Sequence, residues 1–269
     1  MTKPKAYPKL RASFRKSKFA AACLLAVLFA AAGCSGMKVK VGMKVPLNQT
    51  PVSAIHVSLP KGPAMAPGEH SPLVVQLTQP DGKVLVTEGV GQGKVMWKDL
   101  RVDADIVTAS DNGMLILDAD PRVSEDQIPH VTVTVPSHPG LRADLDIPLR
   151  YDFKYTANFS GSNVIDGTSS TDGHPVQLRV RLRQADHRLL QVSLRSGGTE
   201  DYYLIDPKGG SLMVRSDAGA GRWGGQGARG GAITVTYDPQ TKPYLHVLHF
   251  SNRGGPRPIF YEEPLPPLW

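Results

Sequence analysis

Three arginines alternate along "LRVRLRQ" (178–184), with Arg179, Arg181 and Arg183 two positions apart. On an extended strand that spacing aligns all three guanidinium groups on one face, here the solvent side, and Arg195 in "VSLRS" falls outward by the same alternation. A planar guanidinium fork matches carboxylate and phosphate oxygens two at a time, so the row is a candidate for recognising anionic polymers. The competing account is a solvated face paired with neighbouring acids. Trp223 stands in "DAGAGRWGGQGARGG" (217–231), where seven of fifteen residues are Gly. An aromatic ring in such a loop suits stacking on a sugar or entry into a membrane interface. Arg179, Arg181, Arg183 and Trp223 together are the candidate ligand-binding set.

The remaining chemistry-bearing residues point to no reaction. Gly219, Gly221 and Gly224 spell a literal G-x-G-x-x-G, but a nucleotide site needs a helix starting there, and "GQGARGG" followed by a strand cannot supply one. Asp103 with Asp105, and Asp144 with Asp146, are same-face carboxylate pairs. They could hold Ca²⁺ only if adjacent strands brought them together, since that ion wants six or more oxygens. His246 and His249, three apart, point to opposite faces of a strand and make poor co-ligands. H-E-x-x-H, G-x-S-x-G and phosphate-loop patterns are absent from the sequence. The expectation is a protein without catalysis, resident metal or cofactor.

Cys34 has a different chemistry. The first eighteen residues carry seven Lys and Arg and no acid, and "FAAACLLAVLFAAA" (19–32) then runs without charge. This is a positive region followed by an apolar one, and fourteen apolar residues fall short of the roughly 18–20 needed to span a bilayer as a helix. "AAGC" (31–34) resembles the lipobox of bacterial lipoproteins, and Ser35 resembles the second mature position of those sent to an outer membrane. The resemblance implies a signal peptide over 1–33. It also implies an acylated Cys34 bearing diacylglycerol and an N-acyl chain, and a lipidated linker over 34–52. Two or three acyl chains, at about 0.8 kcal/mol per buried methylene, make a stable anchor. Removal of the leader reduces the formal charge of +7 to 24 basic against 24 acidic residues, which takes away the general attraction to nucleic acid. With Cys23 lost in the leader and Cys34 acylated, no thiol is left for a disulfide or a metal.

The elements that must position these residues are strands. "SAIHVSL", "HVTVTV" and "ADLDIPL" each alternate apolar and polar residues, and Asp81-Gly82 and Asn112-Gly113 are two-residue hairpin signals. Further strands are expected around 73–78, 84–87, 95–98, 100–107 and 114–118. Residues 53–150 thus give about eight strands and an antiparallel sandwich. "APGEHSPLVVQL", "DGKVL", "VMWKDL" with Trp97 as a core tryptophan, and "DNGML" resemble bacterial Ig-like domains, modules that serve as spacers or binding platforms.

Residues 151–269 begin with "YDFKY" and, after a polar loop at 158–175, continue through "VQLRVRL", "LLQVSL", "YYLI", "SLMV", "AITVTY" and "YLHVLHF". A second all-β unit of about seven strands is expected, an antiparallel sandwich or small barrel, with turns at Asp206-Pro207 and Asp238-Pro239. This half resembles uncharacterised bacterial lipoproteins that carry Gly-rich, collagen-like inserts at the loops 158–175 and 217–231. No Gly-X-Y register exists here, so a triple helix is not expected. The sequence leads to a lipid-anchored envelope protein with a structural or interaction role, partnered by the membrane and by an envelope glycan or protein. The alternative is a glycan- or polyanion-binding module in the C-terminal half. The oligomeric state and the docking place of Trp269 are not encoded in any motif.

Overall fold

The computed structural model describes residues 44–89, 93–163, 170–184, 188–220 and 228–269. The chain is all-β. In its first half β1 (Ala54–Ser58), β3 (Val74–Thr78) and β4 (Val84–Val86) form one sheet, with β2 (His70–Pro72) lying in a second. Ahead of β5 (Arg101–Ala104), Trp97–Asp99 form a 3-10 turn. β6 (Val107–Ala109) and β7 (Met114–Leu117) pair with each other and β7 with β2, while β5 pairs with β8 (His130–Thr134) and β8 with β9 (Arg142–Asp146). Every strand pairing in this half is antiparallel. A short helix, α1 (Pro121–Ser124), begins where the Asp120 side chain accepts the Arg122 N–H and Pro121 fills the first turn.

Both hairpin signals are realised: Gly82 (φ 83°) joins β3 to β4, and Gly113 (φ 74°) joins β6 to β7. Trp97 is buried in the core, its indole N–H donating to the Glu88 carbonyl at 3.1 Å. Two expected strands change form. The 95–98 segment contributes only a bridge from Val95 to Thr87 and then the 3-10 turn, and the 100–107 segment is cut into β5 and β6. Ile106, at φ 61°, makes the cut. A left-handed backbone at a β-branched residue is strained, and it swings the chain from one sheet to the next. Alternation of side chains carries no information about such a corner.

The second half contains β10 (Lys154–Asn158), β11 (Val176–Gln184), β12 (Arg188–Ser196), β13 (Thr199–Ile205) and β14 (Ser211–Arg215). After them come β15 (Ile233–Tyr237), a 3-10 helix (Pro239–Val247), β16 (Leu248–Ser251) and β17 (Ile259–Glu262). Two layers face each other, ordered β10-β14-β16 and β13-β12-β11-β15-β17. The pairings are mixed, not purely antiparallel as expected: β10-β14-β16 are all parallel, and so are β11-β15-β17. From β14 onward each strand lies in the layer opposite its predecessor, so the chain winds around the core and re-enters each layer in the same direction. The β12–β13 hairpin widens the second layer. Period-two alternation is identical for parallel and antiparallel strands, so the sequence pattern could not separate them. The "YLHVLHF" segment is mostly 3-10 helix, because Asp238 caps it through the Gln240 N–H and Pro239 starts it.

Each half has its own apolar core, one built on Leu73, Leu77, Leu115, Val133 and Ile147, the other on Leu178, Leu190, Leu194, Ile205 and Val235. Residues Lys44–Trp269 nonetheless form one contact unit. Buried Glu69 accepts from the Ala66 N–H and, at 2.9 Å, from Arg150, whose other nitrogen reaches Asp152.

Candidate functional site

The arginine row lies on β11, where Arg179 stands opposite Ser193, Arg181 opposite Gln191 and Arg183 opposite Leu189 of β12. Their fates differ. Arg179 is exposed, Arg181 is half-buried, and Arg183 is half-buried and paired with Glu125. The outer face of this sheet is covered in its middle, since Gln191, Ser193 and Leu189 are all buried. Its cover includes the segment after β17 and, from the first half, Glu125. Leu265 is buried beside Asp238, and Trp269 packs edge-on against Tyr202 of β13 at 5.3 Å between ring centroids. To pass from β17 to β13 the segment must cross β15, β11 and β12, roughly 19 Å at 4.8 Å per strand, a span seven extended residues can make.

Glu125 gathers the junction. It pairs with Arg183, and both of its oxygens lie 3.2 Å from the indole N–H of Trp269. The Arg122 guanidinium stacks 3.5 Å above the Tyr202 ring, a cation–π contact that completes the clasp. Arg183 is therefore committed to holding the halves together. Of the clasp residues only Arg183 carried a sequence signal, as a member of the arginine row, and its pairing carried none, since Glu125 and Trp269 are separated by 144 positions.

Cys34 and Trp223 lie outside the described residues. The bases of both Gly-rich loops are described and run side by side: Phe159 N–H donates to Arg215 C=O, Gly161 to Asp217, Gly173 to Arg229, and Gly219 to Thr171. A Cβ on Gly219 would stand 2.0 Å from the Ser162 carbonyl oxygen. The first glycine of the G-x-G-x-x-G pattern thus serves close backbone approach between two loops.

The Asp pairs are separated by a strand, because β8 lies between β5 and β9. Arg101 holds Asp103, and Arg142 with the Thr132 hydroxyl holds Asp144. His130 bridges Asp146 (2.7 Å) and Asp144 (3.3 Å) while Asp105 accepts the His130 backbone N–H. Carboxylates spent on cations and hydroxyls in this way are not gathered around a central ion. Among the described residues no group of His, Cys, Asp or Glu has the geometry of a metal site.

A concave feature lies elsewhere. A cavity of about 510 Å³ is lined by Arg188, Asp206, Pro207, Lys208, Tyr244 and His246, among others. Arg188 donates to the Tyr244 hydroxyl at 2.8 Å. The Asp206 carboxylate is occupied by the Lys208 backbone N–H. His246 Nδ1–H donates to the Pro243 carbonyl at 3.0 Å, which leaves Nε2 facing outward from that bond. Two basic side chains, an imidazole and a phenol ring around a cavity of this size suit an anionic or sugar-like ligand. The sequence marked Asp206-Pro207 as a turn and His246 as a poor co-ligand of His249, and nothing in it joined the two. The cavity forms because the β13–β14 turn and the 3-10 helix meet at the start of β12.

A scan against protein-family models gives no match for the chain, and a search of curated proteins gives none either.

Proposed function

We propose that this chain is a lipid-anchored protein of the bacterial cell envelope, tethered to the outer membrane through Cys34, with a structural or interaction role and no catalysis. The leader and "AAGC" support the anchor. The observation that carries the structural role is the clasp in which Glu125 engages Arg183 and Trp269 at once. A two-core chain locked this way holds its far end at a set distance and orientation instead of closing around a substrate. The zero net charge beyond the leader favours partners recognised by local surface rather than by a general field.

Two measurements test it. Labelled palmitate enters the wild-type protein in its host and is absent from Cys34→Ala; undiminished label would refute the anchor. Glu125→Ala with Trp269→Ala loosens the clasp, keeps the label and weakens resistance of the envelope to detergent. Unchanged resistance would refute the structural role.

A glycan- or polyanion-binding module is the alternative, favoured by the cavity around Arg188, Lys208, Tyr244 and His246. Its ligands would be phosphorylated or acidic wall and envelope polymers. The binding groups then lie at the end of β12 and in the 3-10 helix rather than along the arginine row.

A further inference from the structure

Among the described residues β17 closes one side of the five-stranded layer and pairs with β15 alone. The Glu263 N–H donates to the Tyr237 carbonyl at 3.0 Å. Backbone groups alternate sides along a strand, so Ile259, Tyr261 and Glu263 direct theirs toward β15. Phe260 and Glu262 direct their N–H and C=O groups away from the sheet, together with the Pro258 carbonyl. Edges of this kind are commonly blunted with lysines, bulges or covering loops. This one carries Ile259, Phe260 and Tyr261 at 49%, 47% and 52% exposure, three consecutive large apolar side chains. The Phe260 ring rests on Phe250 of the opposite layer, 5.8 Å between centroids, at the open end of the space between the layers.

The segment Arg257 to Glu263, "RPIFYEE", is complementary to itself. Laid antiparallel against a second copy about a two-fold axis at Phe260, it sets Arg257 opposite the copy's Glu263 at both ends. Ile259 then faces Tyr261, and the two Phe260 residues face each other. Phe260 has its backbone groups on the open side, so the central pair exchanges two hydrogen bonds, and each Glu262 N–H reaches a Pro258 carbonyl. The proline's missing N–H removes one donor per chain and leaves the others usable. A one-residue slip would set outward backbone groups against inward ones. A two-residue slip keeps the hydrogen bonds in phase but loses both Arg–Glu pairs. Among the described residues neither the Arg257 nor the Glu263 side chain has an ion-pair partner within the chain.

We infer that Arg257–Glu263 is a self-docking edge, through which two copies of this chain join their five-stranded layers into one continuous sheet. An isologous contact of this type closes on itself and stops at the dimer. The inference does not depend on acylation of Cys34 or on the cavity.

The experiment is sedimentation velocity of the full chain in detergent over a hundredfold range of concentration. The wild type passes from monomer to dimer. Arg257→Glu and Glu263→Arg each raise the dissociation constant at least tenfold, and the doubly reversed chain recovers the wild-type value to within about threefold. Phe260→Pro, which deletes the central donor, is monomeric throughout. Association through acyl chains or micelles is indifferent to these charges. Circular dichroism melting of the charge variants matches the wild type, since neither side chain has an ion-pair partner to lose among the described residues. A wild type that stays monomeric, a dimer that ignores single reversal, or a loss that the double reversal does not repair would each overturn the inference.

Discussion

The indole N–H of Trp269 lies 3.2 Å from both carboxylate oxygens of Glu125, which the same carboxylate's pairing with Arg183 holds in place. One acid thereby ties the last residue of the chain and the middle strand of the second half to the helix of the first. Replacing Glu125 by Ala leaves two donors without their acceptor in a mostly water-excluded junction. A loss of about 2–3 kcal/mol in unfolding free energy is expected, with Trp269→Ala less harmful. Chemical denaturation followed by intrinsic fluorescence measures both. In the double variant the two effects should add to less than their sum, because they share one contact.

Glu69 is buried at 5% exposure, whereas its partner Arg150 keeps 32% of its side chain in water. Glu69→Gln retains an acceptor for the Ala66 N–H and loses only the charge. Glu69→Ala strands both the Ala66 N–H and the guanidinium. The expected order of stability is wild type, then Gln, then Ala, with the last lower by roughly 3 kcal/mol. Equal stability of the two variants would mean that the hydrogen bonds at this site contribute nothing.

Gly113 sits at φ 74°, and a Cβ there would stand 2.1 Å from the Trp97 ring. Gly113→Ala must therefore displace the tryptophan and strain the hairpin together. A destabilisation of about 2 kcal/mol or more is expected, with a red shift of the Trp97 emission as its ring moves toward water. Gly82→Ala meets open space at a similar φ and should cost only the backbone strain.

His130 is held protonated above its ordinary pKa of 6.5, first by its hydrogen bond to Asp146 and then by Asp144. Its raised folded pKa means that its contribution to stability is complete below 6.5 and is lost as pH rises through the higher value. Asp144 is depressed below 3.8, chiefly by Arg142 and then by the Thr132 hydroxyl, so its contribution is present above 3.8 and is lost as pH falls through the lower value. The β8–β9 face is thus best stabilised between pH 3.8 and 6.5. An NMR titration of His130 should give a midpoint above 6.5, moved back toward it by Asp146→Asn.

If the cavity beside β12 holds anions, polyphosphate or an acidic polysaccharide binds the chain with an affinity that falls steeply with salt. Arg188→Ala then weakens binding about tenfold, while Arg183→Ala lowers stability without changing the salt dependence. Identical binding losses for the two variants would place the ligand on the sheet face instead.

Strand identity was readable where a strand shows its core a residue at every second position. "HVTVT" became β8 with Val131 and Val133 buried, and "LRVRL" lies in β11 with Leu178, Val180 and Leu182 buried. The turns at Gly82 and Gly113 were equally plain, since few residues besides glycine and asparagine accept a left-handed backbone. The arginine row was read correctly as sharing one side of β11. Its solvent exposure was not legible, because what covers that face comes from Glu125 in the first half and from the segment ending at Trp269.

By itself, then, the sequence determined the all-β class, the hairpins and the alternation of side chains, all of which follow from geometry between near neighbours in the chain. Tertiary structure alone decided the parallel winding of the second half, the clasp at Glu125, the cavity around Arg188 and the open edge at Phe260. Each joins residues tens of positions apart or more, or depends on which strand lacks a neighbour. The free energy of such contacts resides in packing between elements, and no local pattern records it.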